Sequence, residues 1–246
     1  MKTIRVPENN KEALKLIQKG KYSFLRYYSD AYFPGIVASY LLEQDEVDHN
    51  LAASLEGFFE RSLNLIGGAH DPKHDYKGKF APYGCIPLYN DTFIKLMVYG
   101  IKHLGKSPIK FLDAGCGVGD KLLIASMFKE ISVHGIENSK LFAGIADSRV
   151  RSYGHSVIEI GDITETDYSK YDLIYAYNPM SVTIGMTAFY ECVLKTLRPD
   201  ALCIFVNVIT GHEAIRPLMD KTLERHFVPA GIDKMEQNYF FKLEVS

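Results

Sequence analysis

The chain has 246 residues, 47% of them hydrophobic and 24% charged, with a formal net charge of −2. That is enough apolar material for one large domain or a domain with a smaller companion, and too little positive charge for nucleic-acid binding driven by bulk electrostatics. The four cysteines (Cys85, Cys116, Cys192, Cys203) have neither C-x-x-C pairing nor metal-ligand spacing and read as reduced thiols, which suits a cytoplasmic protein.

The opening stretch MKTIRVPENN lacks an apolar core, so no secretory signal is expected. Residues 1–80 read as a helical N-terminal cap or accessory region, and residues 81–246 as the main domain. Asn9 or Asn10 caps a first helix through Leu14, Leu16 and Ile17 that stops near Gly20. A second helix runs through Phe24, Tyr27 and Tyr28 and is broken by Pro34-Gly35. A third starts near Ile36, with Leu51, Leu55, Phe58, Phe59, Leu63 and Ile66 along its apolar face and Gly67-Gly68 at its end. From Met1 to Tyr28 there are 7 Lys/Arg and 2 Glu, a balance of +5, whereas Leu41 to Glu60 carries 6 acids and no Lys or Arg. The basic end reads as a solvated helix face in preference to a docking surface for RNA or an acidic partner.

His70 to Lys79 is a polar loop suited to a mobile lid. Its His70, Asp71, His74 and Asp75 would suit a metal only on a helix, which Pro72 opposes, so no metal is expected. Asp91 to Leu104 is an amphipathic helix capped by Asp91 and closed before Gly105. From Ile109 onward strand and helix patterns alternate, the mark of a doubly wound α/β sheet. Strands are expected at Ile109–Leu112, Ser132–Glu137, Val157–Ile160, Tyr171–Tyr177 and Ala201–Val208. A helix is expected over Glu213–His226. Extended stretches near Ile232 and over Tyr239–Val245 complete the sheet, the last antiparallel. Leu173 to Tyr190 has no charged residue for 18 positions, but Asn178, Pro179 and Gly185 make it a strand and loop rather than a membrane helix.

The stretch Phe111–Asp120, FLDAGCGVGD, carries the function. An apolar strand ends at Asp113, Gly115, Gly117 and Gly119 let the backbone turn tightly against a ligand, and Lys121–Phe128 opens a helix. A dinucleotide fingerprint G-x-G-x-x-G is not met, since the third glycine comes one residue early. Asp113 and Asp120 would repel a diphosphate and favour S-adenosylmethionine (SAM), which carries a sulfonium and an ammonium.

This stretch resembles the first motif of the class I SAM-dependent methyltransferases, an apolar strand followed by (D/E)-x-G-x-G-x-G. The resemblance implies a Rossmann-like, mostly parallel seven-stranded sheet, SAM as cofactor, and cofactor-binding roles for Asp113, Gly115, Gly117 and Gly119. Glu137, 22 residues after Gly115, would accept from the ribose hydroxyls, and Asn138 and Asn178 would also bind the cofactor. Asp162 would take the adenine amino group, with Ile163 packed on the ring. Asn178 begins Asn178-Pro179-Met180-Ser181, similar to the (D/N)-P-P-(Y/F/W) of amino-methylating members. It implies a catalytic contact with the acceptor, but the second proline and the aromatic are absent. Tyr83 in Tyr83-Gly84 resembles a cofactor-side segment of the non-SET lysine methyltransferases. The expected activity is methyl transfer to nitrogen or oxygen of a protein or small molecule, with nucleic acid less favoured and no membrane partner. A SAM-binding protein without catalysis and a nicotinamide oxidoreductase are the competing classes.

Overall fold

The computed structural model describes residues 4–66, 89–153, 156–180, 183–206, 223–227 and 238–243. Among them the helices are α1 (Asn10–Gln18), α2 (Phe33–Glu43), α3 (His49–Ser62), α4 (Asn90–Leu104), α5 (Asp120–Ala125), α6 (Lys140–Val150) and α7 (Thr183–Thr196). The strands are β1 (Ile109–Ala114), β2 (Ile131–Glu137), β3 (Ser156–Ile160), β4 (Leu173–Tyr177), β5 (Leu202–Val206), β6 (Leu223–Phe227) and β7 (Asn238–Leu243). They form one seven-stranded sheet in the order β3-β2-β1-β4-β5-β7-β6. The first five are parallel, and β7 runs antiparallel to both β5 and β6.

Alternation along the central strands divides the core in two. Ile109 and Phe111 of β1, Leu173 and Tyr175 of β4, and Leu202 and Ile204 of β5 face one side, together with α4, α5 and the buried residues of α1–α3. Leu112, Ala114, Ile174, Ala176, Cys203 and Phe205 face the other, with Phe189 and Val193 of α7. The N-terminal helices thus share one apolar cluster with a sheet face. Phe33 and Phe58 meet edge to face there at 5.7 Å.

Local chemistry explains where the elements start. Asn9 caps α1, its side chain accepting from the Glu12 amide at 3.0 Å. Residues Ser23–Arg26 form a 3₁₀ turn rather than a full helix. Pro34 and Gly35 do not break a helix but lie in the first turn of α2, where proline's fixed φ and missing N–H cost nothing. The expected single third helix is two, because Asp48 caps α3 through the amides of Asn50 and Leu51. Helix α3 stops at Ser62, so Ile66 lies beyond it and is 43% exposed. Asp91 is not the cap of α4. That helix begins at Asn90, and Asp91 sits in its first turn, paired with Lys95 at 3.8 Å. Helix α5 ends at Ala125, earlier than expected. The expected helix over Glu213–His226 is overturned at its end by strand β6, which pairs with β7 from Leu223 to Phe227. Residues 213–222 and Ile232 lie outside the described residues.

Candidate functional site

The strands β1, β2 and β3 step one way across the sheet, and β4 and β5 step the other, so the order reverses between β1 and β4. Ligands of open α/β sheets bind at the carboxyl ends beside such a reversal. Gly115 leaves β1 at φ 86°, and its amide donates to Ile136 O at 2.9 Å. A Cβ on Gly115 would sit 3.0 Å from Cβ of Pro179, so the turn after β1 and the Asn178-Pro179 turn after β4 touch. Asn178 is buried and holds φ 39°, a left-handed conformation that asparagine tolerates better than most residues.

Glu137 closes the turn from the β2 side. Its Oε2 accepts from the Gly117 amide at 2.9 Å and its Oε1 from the Ser139 amide at 2.9 Å. Burial pushes its pKa up, and hydrogen bonds from the amides of Ser139, Gly117 and Asn138 work against that. Asn138 follows, with a buried Oδ1 that has no hydrogen-bond partner among the described residues. The Gly161 amide donates to Glu137 O at 3.1 Å and brings the end of β3 alongside. There Asp162 Oδ1 accepts from the amide and hydroxyl of Thr164, each at 2.8 Å, so this carboxylate also builds its own turn. Ile163 is buried, and its carbonyl accepts from the Tyr168 hydroxyl at 2.7 Å.

Asp113 is the site's unusual group. It is 3% exposed, and no described residue donates a hydrogen bond to it. Burial pushes its pKa up to about 7, Lys121 pulls it down, and Glu137 pushes it up again. It occupies the same face of β1 as Phe111, in register with Tyr175 of β4. A buried carboxyl without a donor among the described residues is an acceptor that a cationic or donor-bearing ligand can satisfy.

Gly119 does a different task from its two fellows. At φ 83° it precedes α5, and a Cβ there would lie 2.9 Å from Cβ of Ala146, so it admits α6 close to the turn. Asp120 corrects the sequence argument about charge. It does not face the turn as a bare acid, because Arg149 pairs with it at 2.7 Å and the Ile66 amide donates to it at 3.1 Å. Arg149 also donates to Val118 O and Asn64 O, tying the end of the N-terminal region to the glycine turn. Among these acids, Asp113 and Glu137 therefore remain to repel a diphosphate.

The structure thus gathers Asp113, Gly115, Gly117, Glu137, Asn138 and Asn178 around one sheet edge, with Asp162 and Ile163 at the end of the neighbouring strand. Tyr83 and the polar loop from His70 to Lys79 lie outside the described residues. Sequence reading misses Arg149, Lys121 and Asn90. Lys121 directly follows the motif, and its position in the first turn of the next helix is the available signal. Its Nζ donates to Asn90 Oδ1 at 2.5 Å and lies 5.5 Å from the centroid of the Phe93 ring.

No family model matches the chain, and no curated protein matches it. Among solved structures, the N-methyltransferase NodS of Bradyrhizobium japonicum WM9, in complex with S-adenosyl-L-homocysteine, is similar over 76% of this chain and 97% of its own. The TM-score is 0.52 and the identity 15%. The T. Thermophilus 16S rRNA N2 G1207 methyltransferase RsmC, in complex with AdoMet and guanosine, matches 62% of this chain and 43% of its own, at TM-score 0.46 and 18% identity. A TehB-like SAM-dependent methyltransferase from Corynebacterium glutamicum ATCC 13032 Kitasato matches 60% of this chain and 87% of its own, at TM-score 0.46 and 16% identity. The likeness to NodS is one of fold, and the fold of this chain is the Rossmann-like fold of the class I methyltransferases.

Proposed function

We propose that the chain is a methyltransferase that binds SAM along the carboxyl ends of β1, β2 and β3 and delivers the methyl group to a nitrogen or oxygen nucleophile lodged beside Asn178. The observation that carries this reading is the buried carboxyl of Asp113, set against a glycine turn and lacking a donor among the described residues. A ligand with an ammonium group satisfies it, and a dinucleotide does not. The orphaned Oδ1 of Asn138 is a second acceptor at the same edge.

When bound, SAM supplies an electrophilic methyl on a sulfonium. The chain's own residues bind and orient. Asp113 and the exposed backbone at Gly115 hold the amino-acid end. Glu137, already fixed by two amides, turns its remaining lone pairs to the ribose hydroxyls, each such bond contributing about 1.5–3 kcal/mol because the acceptor is charged. Asp162 and Ile163 receive the adenine. Asn178 aligns the acceptor, its backbone held by the contact of Pro179 with Gly115. An acceptor that is already a neutral nucleophile needs little acid–base help, and alignment alone lowers the barrier by about 7–11 kcal/mol.

The N-terminal helices act in this reading as a cap on the α4–α5 side, anchored through Arg149 and through Glu56, which accepts from the Asn90 amide at 3.4 Å. A protein or small-molecule acceptor is favoured over nucleic acid by the net charge of −2. Cys192 and Cys203 are free thiols, which supports a cytoplasmic setting. Among the described residues no helix is long and apolar enough to cross a membrane.

The test is transfer of tritiated methyl from SAM to cell lysate fractionated into protein, RNA and metabolites. Label in the protein or metabolite fraction, with S-adenosylhomocysteine formed, is the expected result. Label confined to RNA would move the acceptor to nucleic acid, and SAM binding without transfer to any fraction would leave a non-catalytic binding protein.

A further inference from the structure

We infer that Arg149 is a positioning residue for the cofactor: its guanidinium fixes the glycine turn in its binding shape and couples that shape to the docking of residues 64–66. The inference rests on the proposed binding of SAM. The turn holds Gly115, Gly117 and Gly119 at φ 86°, 53° and 83°, and glycine backbone loses more freedom on ordering than any other. Such a turn needs fixing from outside. The amides of Gly115 and Cys116 donate to Ile136 O at 2.9 and 3.0 Å, and the Gly117 amide donates to Glu137 Oε2 at 2.9 Å. The carbonyl of the next residue is held as well, since Arg149 Nη1 donates to Val118 O at 2.7 Å.

Helix α6 links these two holds. Glu137 accepts from the amide of Ser139, whose hydroxyl caps α6 by accepting from the Phe142 amide at 3.3 Å. Arg149 stands in the last turn of the same helix, and Ala146 in the turn before it meets Gly119. The arginine then reaches further. Nη1 also pairs with Asp120 at 2.7 Å, Nη2 donates to Asn64 O at 2.9 Å, and Asp120 Oδ1 accepts from the Ile66 amide at 3.1 Å. One planar fork, 15% exposed at its side chain, thus joins the end of α6, the glycine turn and the segment after α3. Order in the turn and docking of residues 64–66 share that fork, so a ligand that binds the ordered turn also holds residues 64–66 in place.

The experiment is calorimetric titration of the full chain with SAM, for the wild type, Arg149→Met and Arg149→Lys, joined to amide hydrogen exchange read by NMR with and without SAM. In ligand-free Arg149→Met the Gly117 and Gly119 amides are expected to exchange about tenfold faster, while the amides of β5 keep their wild-type rates. SAM binding is expected to weaken about tenfold, roughly the ordering of one backbone residue. In the wild type SAM is expected to slow exchange at the Ile66 amide, and in Arg149→Met to leave it unchanged, a difference that a merely structural arginine would not produce. Arg149→Lys keeps the charge but cannot span Val118 O, Asp120 and Asn64 O together. It is expected to show the same uncoupling, and is read instead should Arg149→Met fold poorly. Unchanged exchange at Gly117 and Gly119 in the variants, or a wild-type Ile66 amide that SAM does not protect, would overturn the inference and leave the SAM reading intact. A wild type that binds no SAM would overturn the reading itself, and the ligand-free exchange at Gly117 and Gly119 would still decide whether Arg149 fixes the turn.

Discussion

Replacing Asp113 by asparagine separates the two demands the site makes on that position. The carboxyl titrates at about 7 in the folded chain against an ordinary value of 3.8, with burial the main cause. The folded state therefore binds the proton more tightly than the unfolded state does. Stability from this group is full at low pH and declines as pH rises from about 4 through about 7, then stays low. About three pKa units at about 1.36 kcal/mol each set the loss at up to about 4 kcal/mol above pH 7. An asparagine amide cannot ionise and escapes the loss. Ligand-free Asp113→Asn is thus expected to be more stable than the wild type by up to about 4 kcal/mol at pH 8, and by only about 1.5 kcal/mol at pH 5. Urea unfolding at the two pH values measures both differences. The same variant is expected to bind SAM at least about tenfold more weakly, since it loses a charged acceptor. A stability gap that does not change between pH 5 and pH 8 would refute the account of Asp113 as a strained, ligand-seeking acid.

Three further perturbations test the surrounding frame. Glu137→Ala removes the acceptor for the Gly117 and Ser139 amides and, in the proposed reading, for the ribose, and is expected to weaken SAM binding by more than about tenfold; an unchanged dissociation constant removes Glu137 from the ribose. Asp172 is 10% exposed at its side chain and meets the Lys110 amide at 2.7 Å, Lys106 at 2.9 Å, and Arg198. Burial opposes its ionisation, but these partners outweigh burial and hold its pKa below the usual range. The stability it contributes is present above the ordinary carboxylate pKa and fades as pH falls through the folded value, so Asp172→Ala is expected to cost about 3 kcal/mol at pH 7 and less in acid. Equal losses at pH 7 and pH 3 in denaturant unfolding would contradict that. Gly119→Ala forces a side chain at φ 83° against Ala146 and is expected to lower stability by at least about 1–2 kcal/mol. A melting temperature matching the wild type would show that α6 does not pack where the structure puts it.

The motif strand, the glycine turn and the acids at the ends of β2 and β3 are legible because each depends on local chemistry. An apolar run, three glycines at alternate positions and a strand-final acid are all visible within a short window of sequence. The antiparallel β7 is also expected, from its extended, aromatic-rich composition. What escapes depends on partners distant in sequence. Asp120 reads as a second free acid until Arg149, far along the chain, is seen to neutralise it. Pro34-Gly35 reads as a stop, but the same proline serves a helix start equally well, and packing of Phe33, Val37 and Leu41 into the common core decides between them. Leu223–Phe227 is a strand because β7 offers it a pairing edge, which no local propensity announces. Lys121 reads as an ordinary helix-opening residue. Its bond to Asn90 and its place near the Phe93 ring emerge only once α4 delivers those residues to it.

Calorimetric titration of the wild type and Gly117→Val with SAM, and of the wild type with NAD(H), puts the proposed sulfonium-binding slot to the most direct test. The account predicts a dissociation constant of micromolar or better for the wild type, about −8 kcal/mol or more favourable, no heat with NAD(H), and lost binding in Gly117→Val. NAD(H) binding in place of SAM, or a Gly117→Val chain that binds SAM as the parent does, would contradict it.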